Sequence, residues 1–167
     1  MKIEDNYLEQ NEFDKLQTLM TSEQFSWYYS DIIDYENQTD KFQFVHMFYH
    51  THAPCSPFCQ NLNPILSKLN VLALSRIKAN LLTRTLNIVE NEFHIDMGDV
   101  TEEKLKQGTT SIFYMGTNNG YTKFEDGTKV ESVANRMVTF PANVKHTGTS
   151  CTDEKTRIVI NFNYFKR

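Results

Sequence analysis

The glycines of this chain are confined to its C-terminal part, and this distribution limits what each part can fold into. All six lie after residue 97: Gly98, Gly108, Gly116, Gly120, Gly127 and Gly148. Glycine is a common residue of tight turns, so turns must be frequent there. Asn119-Gly120 and Asp126-Gly127 are strong signals for short turns between antiparallel strands. We therefore expect helices first and β-hairpins after them.

Eight short segments from residue 76 onward have the composition of strands. They are residues 76–82, 92–97, 109–115, 121–124, 128–133, 136–140, 146–151 and 157–165. Short strands joined by turns favour a jelly roll or a small barrel over a parallel sheet. We expect a mainly β fold with its core in residues 76–165.

The region before residue 76 is predicted to support this core with two helices. Asn11 can cap the first helix, and Ser56-Pro57 can begin a second helix that Pro64 would kink. Between them, residues 42–49 have the composition of a strand. A chain of 167 residues fits one hydrophobic core. We expect residues 1–167 to form one domain, with 1–75 as a helical support region.

Composition and charge exclude several classes of protein. The formal charge of -4 gives no general attraction to phosphate backbones, so a nucleic-acid partner is disfavoured. No apolar run approaches the roughly 18 residues that span a bilayer, and the acidic opening is unlike a signal peptide. Cys55, Cys59 and Cys151 leave an odd thiol in any disulfide scheme. We expect a cytoplasmic protein with free thiols and no membrane association.

His94 and Asp96 are candidate metal ligands. They lie two positions apart on a predicted strand, so alternation directs both side chains to one face. A third ligand can come from His146, which follows Phe140-Pro141 and a short turn. Two imidazoles and one carboxylate on one face of an Fe(II) ion leave the opposite positions open for an organic ligand and dioxygen. The alternative is a histidine that pairs with a nearby carboxylate without any metal.

Arg157 opens the last predicted strand, where it shares a face with Val159 and Asn161. A guanidinium that points into a metal cavity needs a dicarboxylate, because a buried unpaired charge is costly and its fork matches a carboxylate. The alternative is a structural ion pair with Glu131 or Asp153. We expect Asn161 to line the cavity with Val159. We also expect residues 98–108 and 53–59 to flank its mouth.

Four segments carry a resemblance to a known family: residues 93–96, 109–115, 136–141 with His146, and 157–165. In these segments the chain resembles the Fe(II)- and 2-oxoglutarate-dependent dioxygenases, most nearly the prolyl-4-hydroxylase-like branch and small phage oxygenases of that kind. The resemblance covers residues 76–165. It implies a double-stranded β-helix of eight strands, a cupin-like jelly roll.

The resemblance also implies a role for each candidate site residue. His94, Asp96 and His146 would hold the iron, and Arg157 would bind the far carboxylate of the co-substrate 2-oxoglutarate. Tyr114 would help to hold the same carboxylate, although a tyrosine at this position can also be a core residue. We expect Asn161 on the co-substrate side as well. The family pattern has a second tyrosine on the first barrel strand, where this chain has Leu82.

The implied reaction consumes 2-oxoglutarate and dioxygen, hydroxylates an unactivated C–H bond and releases succinate and carbon dioxide. Ascorbate is expected as a reductant. A peptidyl residue of a protein, a prolyl residue among them, is the first substrate class to consider, and a small molecule is the second. A nucleic-acid demethylase on the same scaffold is disfavoured by the acidic balance.

Two other hypotheses stay open at this point. Jelly rolls also serve as non-catalytic proteins, so the chain could be a cupin-like module that binds or senses a metal or a small molecule. His50, His52, Cys55 and Cys59 form a second cluster of possible zinc ligands, which Pro54 and Pro57 make difficult to bring together.

Overall fold

A computed structural model describes residues 1–33, 41–98 and 100–167. The described strands are β1 (Lys2–Glu4), β2 (Tyr28–Ser30), β3 (Gln43–His50), β4 (Ala53–Pro54), β5 (Val71–Thr83), β6 (Gly108–Tyr114), β7 (Tyr121–Phe124), β8 (Lys129–Glu131), β9 (Arg136–Pro141), β10 (His146–Gly148) and β11 (Thr156–Lys166). The helices are α1 (Gln10–Met20), a 3₁₀ helix (Cys59–Leu62), α2 (Asn63–Leu69) and α3 (Glu102–Gln107).

The strands form two antiparallel sheets. The larger sheet has the order β1-β9-β6-β11-β5-β3-β2, with β4 paired to β3. The smaller sheet has the order β10-β7-β8. The longest pairing joins β5 to β11, from Thr83 opposite Thr156 to Val71 opposite Lys166. The predicted mainly β, antiparallel fold is confirmed.

The two faces of β11 have different surroundings. One face is buried in the main hydrophobic cluster with side chains of α1 and α2, and its residues are Ile158, Ile160, Phe162 and Tyr164. Each such side chain stabilises the fold by roughly 1.5–3 kcal/mol. The opposite face carries Arg157, Val159 and Asn161, which line a cavity. The predicted alternation of this strand is therefore confirmed.

The N-terminal region is less helical than predicted. Besides α1 and α2 it contributes four strands and the start of β5 to the larger sheet. The predicted second helix is divided into the 3₁₀ helix and α2, and Pro64 lies at the start of α2 rather than at a kink. Proline is tolerated there because the first turn of a helix does not use its N–H groups.

The predicted strand at residues 92–97 is wrong, so the expected set of eight barrel strands is not complete. Within this segment His94 makes an isolated bridge with His146, and just before the segment Glu90 makes another with Thr149. The partner strand β10 is only three residues long, since it ends at Gly148. Main-chain pairing in this part of the small sheet is therefore too short for a regular ladder.

The two predicted glycine turns differ in outcome. Gly127 has a φ of +86° and closes the turn between β7 and β8, as expected for Asp126-Gly127. Gly120 instead ends the connection that leads from β6 of the larger sheet to β7 of the smaller one. It is buried beside Arg157, so it is needed for close packing rather than for a hairpin.

We predict that Gly120→Ala destabilises the protein. A Cβ at this position would lie 2.6 Å from Cδ of Arg157 and 2.7 Å from the main-chain oxygen of Ser150. Overpacking of this kind costs about 1–3 kcal/mol in the free energy of unfolding, measured by urea denaturation. Gly116→Ala is the control, because its Cβ would have no neighbour within 4 Å. Equal stability of the two variants would contradict this account.

Candidate metal centre

Three possible metal ligands meet beside the smaller sheet. The ligand atoms of His94, Asp96 and His146 all lie within 4.8 Å of one another. Nε2 of His94 is 3.7 Å from Oδ1 of Asp96, and Nε2 of His146 is 3.9 Å from Oδ2 of the same carboxylate. The structure thus brings together the three residues that the sequence predicted as ligands.

No second group of this kind is present in residues 1–33, 41–98 and 100–167. The four residues considered as zinc ligands therefore do not converge: His50, His52, Cys55 and Cys59. His50 and His52 lie at the turn between β3 and β4, while Cys59 begins the 3₁₀ helix.

His94 is held in place although it belongs to no regular strand. Its main-chain N–H donates to the oxygen of His146, and the N–H of His146 donates to the oxygen of His94, both at 3.0 Å. Four residues earlier, Glu90 accepts hydrogen bonds from the Tyr121 hydroxyl (2.6 Å) and the Lys123 ammonium (2.7 Å). These contacts fasten the segment before Asp96 to β7 and β10.

The Asp96 carboxylate is buried and receives three donors from the larger sheet. Its side chain is 5% exposed. Nη2 of Arg76 lies 3.1 Å from Oδ1, while the Asn161 and Asn163 amides donate to Oδ2 at 3.2 and 3.3 Å. The sequence identified neither Arg76 nor Asn163 as part of the site. Their alternating positions on β5 and β11 gave no indication of which buried group they would face.

Burial alone would raise the pKa of Asp96. The charges of His146, Arg76 and His94, together with the hydrogen bond from Asn163, outweigh burial and lower the pKa to about 2. The carboxylate is therefore ionised at neutral pH, as a metal ligand must be. Two imidazoles and one ionised carboxylate fit Fe(II) in an arrangement that leaves further coordination positions open.

Arg157 lies in the same cavity, and its side chain is buried. Its Nε donates to the Ser132 hydroxyl (2.8 Å) and its Nη2 to the Thr122 hydroxyl (3.2 Å). Burial lowers the pKa of Arg157. In the described parts of the chain it has no carboxylate partner, and Asp153, one of the two acids considered for a structural pair, instead accepts from the main-chain N–H of Asn119.

Tyr114 lies behind the cavity wall rather than on it. Its ring is fully buried below the Arg157 guanidinium, 5.7 Å from ring centre to Cζ. Its hydroxyl donates to Oγ1 of Thr122 at 2.8 Å, and Thr122 lines the cavity. The sequence did not identify Thr122 as a site residue. The only sequence feature that indicates a buried position for Thr122 is its spacing of two residues from Phe124 on β7.

The cavity that contains these groups has a volume of about 340 Å³. Its lining includes the metal ligands, Arg157, Asn161 and Thr122, and Leu82 occupies the wall where the family pattern has a tyrosine. A second cavity of about 600 Å³ adjoins it and shares Arg76, Asp96 and Gly98. Of the two segments predicted to flank the mouth of the metal cavity, residues 98–108 contribute Gly98 to its lining and residues 53–59 contribute none, while residues 50–52 line the second cavity.

No family model matches the sequence, and no curated protein matches it. Solved structures do match the fold. A Pseudomonas putida prolyl-4-hydroxylase is 13% identical, with a TM-score of 0.65 over 99% of this chain and 92% of that one. A prolyl hydroxylase from Trichoplax adhaerens, solved with a hypoxia inducible factor peptide fragment, is 12% identical, with a TM-score of 0.65 over 99% and 83%.

A third structure is HygX from Streptomyces hygroscopicus, solved with nickel, 2-oxoglutarate and hygromycin B bound. It is 9% identical, with a TM-score of 0.63 over 98% of this chain and 82% of that one. The chain therefore has the fold of the 2-oxoglutarate- and Fe(II)-dependent oxygenases, which agrees with the resemblance in its sequence. None of the described helices has the length and apolar character needed to cross a membrane.

We predict that His94→Ala abolishes tight binding of a divalent metal while the fold is retained. At a Mn(II) concentration about 100-fold above Kd, the parent should gain about 2.7 kcal/mol in the free energy of unfolding. The variant should gain almost nothing at the same concentration, since one of three ligands is absent. His52→Ala, which removes an exposed imidazole outside the triad, is the control. An equal gain in all three proteins would exclude His94 as a ligand.

Proposed function

We propose that this protein is an Fe(II)- and 2-oxoglutarate-dependent dioxygenase that hydroxylates an unactivated C–H bond and releases succinate and carbon dioxide. One observation carries the proposal. The cavity that holds His94, Asp96 and His146 also holds the buried guanidinium of Arg157, which has no carboxylate partner among the described residues. A dicarboxylate that reaches from the metal to Arg157 would supply that partner.

In this proposal His94, Asp96 and His146 would hold the metal. The bound Fe(II), with 2-oxoglutarate and dioxygen, supplies the oxidising chemistry, while the protein residues bind, orient and exclude water. Arg76, Asn161 and Asn163 fix the orientation of the Asp96 carboxylate, because their three donors approach it from the larger sheet.

Arg157, Thr122 and Tyr114 form the proposed site for the far carboxylate of 2-oxoglutarate. The Thr122 oxygen accepts from both the Tyr114 hydroxyl and Nη2 of Arg157, so both of its acceptor positions are used. Its own hydroxyl hydrogen must then point elsewhere, and Thr122 faces the cavity. We assign the direct contacts to Arg157 and Thr122, and to Tyr114 the orientation of the Thr122 hydroxyl.

We propose a role for Asn161 in the cavity that differs from the co-substrate contact predicted for it. Its amide nitrogen donates to Asp96, and its Oδ1 is buried with no hydrogen-bond partner within the described chain. Such an acceptor is costly unless it meets a donor, so bound water or a bound substrate group would satisfy it. We therefore propose that Asn161 acts beside the metal ligand Asp96 rather than at the Arg157 end.

The remaining parts of the proposal concern the substrate and the architecture. The likeness to prolyl hydroxylases favours a peptidyl residue as the substrate, and the antibiotic in the HygX structure makes a small molecule the second class. The two antiparallel sheets support a double-stranded β-helix. One hydrophobic cluster joins α1 and α2 to β5 and β11, which supports a single domain over residues 1–167.

We predict a graded loss of 2-oxoglutarate affinity in three variants loaded with Mn(II). Arg157→Lys keeps the charge but loses the fork, which should cost on the order of 1–3 kcal/mol. Thr122→Val removes one hydrogen bond to the carboxylate and should cost about 1.5 kcal/mol of binding free energy, and Tyr114→Phe should cost less because Tyr114 acts through Thr122. Calorimetric titration measures all three. A larger loss in Tyr114→Phe than in Thr122→Val would restore the direct contact first predicted for Tyr114.

Turnover is the test of the proposed function. Purified protein supplied with Fe(II), ascorbate and 2-oxoglutarate should form succinate slowly even without a substrate, and mass spectrometry of a treated peptide library or lysate should detect a gain of one oxygen. His94→Ala should form no succinate. If the parent binds metal and 2-oxoglutarate but forms no succinate under any condition, the non-catalytic binding or sensing function becomes the better assignment.

A further inference from the structure

The second cavity has a cationic lining next to the metal centre. It is formed by the turn between β3 and β4, the start of β5, Gly98, Val100 and the first part of α3. Arg76 and Lys104 contribute positive charge, and His50 and His52 contribute imidazoles that can donate hydrogen bonds. Among the described residues of this lining, Asp96 is the single acid, and it already pairs with Arg76.

Arg76 lines both cavities, so it forms part of the partition between them. Its Nε donates to Oδ1 of Asn163 at 3.2 Å, and the Asn163 amide nitrogen donates to Asp96 and to Thr110. This network fixes the plane of the guanidinium. Arginine has five N–H donors, and the contacts of Arg76 to Asn163 and Asp96 do not use all of them.

With a divalent metal and 2-oxoglutarate bound, the positive charges around Arg76 would exceed the negative ones. A divalent metal, Arg157 and Arg76 together carry four positive charges, whereas Asp96 and a 2-oxoglutarate dianion supply three negative ones. Lys78, the other cation of the first cavity, makes interactions of its own. The Asp96 carboxylate that pairs with Arg76 would be shared with a bound metal, so Arg76 would keep part of its positive charge. A partly buried charge of this kind favours an anionic partner.

We infer that the second cavity binds an anionic oxygen group, a carboxylate or a phosphate, of the primary substrate, through Arg76 and Lys104. This inference rests on the proposed function. A substrate would then need this negative charge to be recognised. The anionic group of the substrate would lie near the metal, on the side of the Arg76–Asp96 pair away from Arg157.

The test uses protein saturated with Mn(II) and 2-oxoglutarate. The probes are N-acetyl-L-alanine, its uncharged analogue N-acetyl-L-alaninamide, and inorganic phosphate. The paramagnetic metal accelerates the nuclear relaxation of any probe that binds near it, so the effect reports both binding and proximity. We expect the nuclei of the two anions to relax faster than those of the uncharged amide. The relaxation enhancement of the carboxylate probe should exceed that of the amide at least roughly tenfold, which corresponds to one charge-assisted hydrogen bond.

Three variants separate the contributions of the side chains. Lys104→Met and Arg76→Met should reduce the effect on the anions roughly tenfold. Lys106→Met is the matched control on the same helix, because Lys106 pairs with Glu102 on the exposed face and does not line the cavity. Arg76→Lys should retain part of the effect. Titration of each variant with Mn(II) and then 2-oxoglutarate checks that the site is still loaded.

The outcomes distinguish this inference from the proposed function. If the parent fails to bind Mn(II) or 2-oxoglutarate, the proposed function is wrong and the inference falls with it. If both bind, but the carboxylate and amide probes relax equally, the inference alone is overturned. The same conclusion follows if Lys104→Met and Lys106→Met behave alike.

Discussion

The pairing of β5 with β11 is the interaction on which the rest of this structure depends. It runs from Thr83 opposite Thr156 to Val71 opposite Lys166 and joins the N-terminal strands to the C-terminal ones. One face of β11 is covered by the helices and the main core. Because side chains alternate along a strand, burying that face fixes Arg157, Asn161 and Asn163 on the other, together with Arg76 of β5. Packing of the core thus determines which polar groups meet the metal ligands.

The polar face created in this way contains buried charges of both signs. Asp96 is surrounded by Arg76, two amides and two imidazoles, whereas Arg157 is surrounded by hydroxyls and an aromatic ring. A buried charge without a counterion is unfavourable for folding, and such a group in a cavity is a candidate for ligand binding. This contrast supports the proposal that a ligand compensates Arg157, whereas the Asp96 carboxylate already has partners within the protein.

Local patterns predicted the features that depend on neighbouring residues. Alternation along β11 and the turn at Asp126-Gly127 were predicted correctly, and the His-x-Asp spacing with a later histidine identified the three residues that meet. The same patterns failed for features that depend on packing between residues distant in the sequence. Residues 92–97 have the composition of a strand but find a partner only three residues long. Arg76 and Thr122 acquire their surroundings from strands distant in the sequence, and no local signal specifies those neighbours.

The contact between residues 89–94 and 146–150 also affects how the protein folds. The two segments are far apart in the sequence and share four main-chain hydrogen bonds, which offset only part of the chain entropy lost when the loop between them closes. This junction should therefore form late, after the sheets have assembled, and open most easily afterwards. An ion coordinated by both imidazoles would act as a cross-link across that loop, much as a disulfide does in a secreted domain. Metal supply would then influence the lifetime of the folded chain as well as its chemistry.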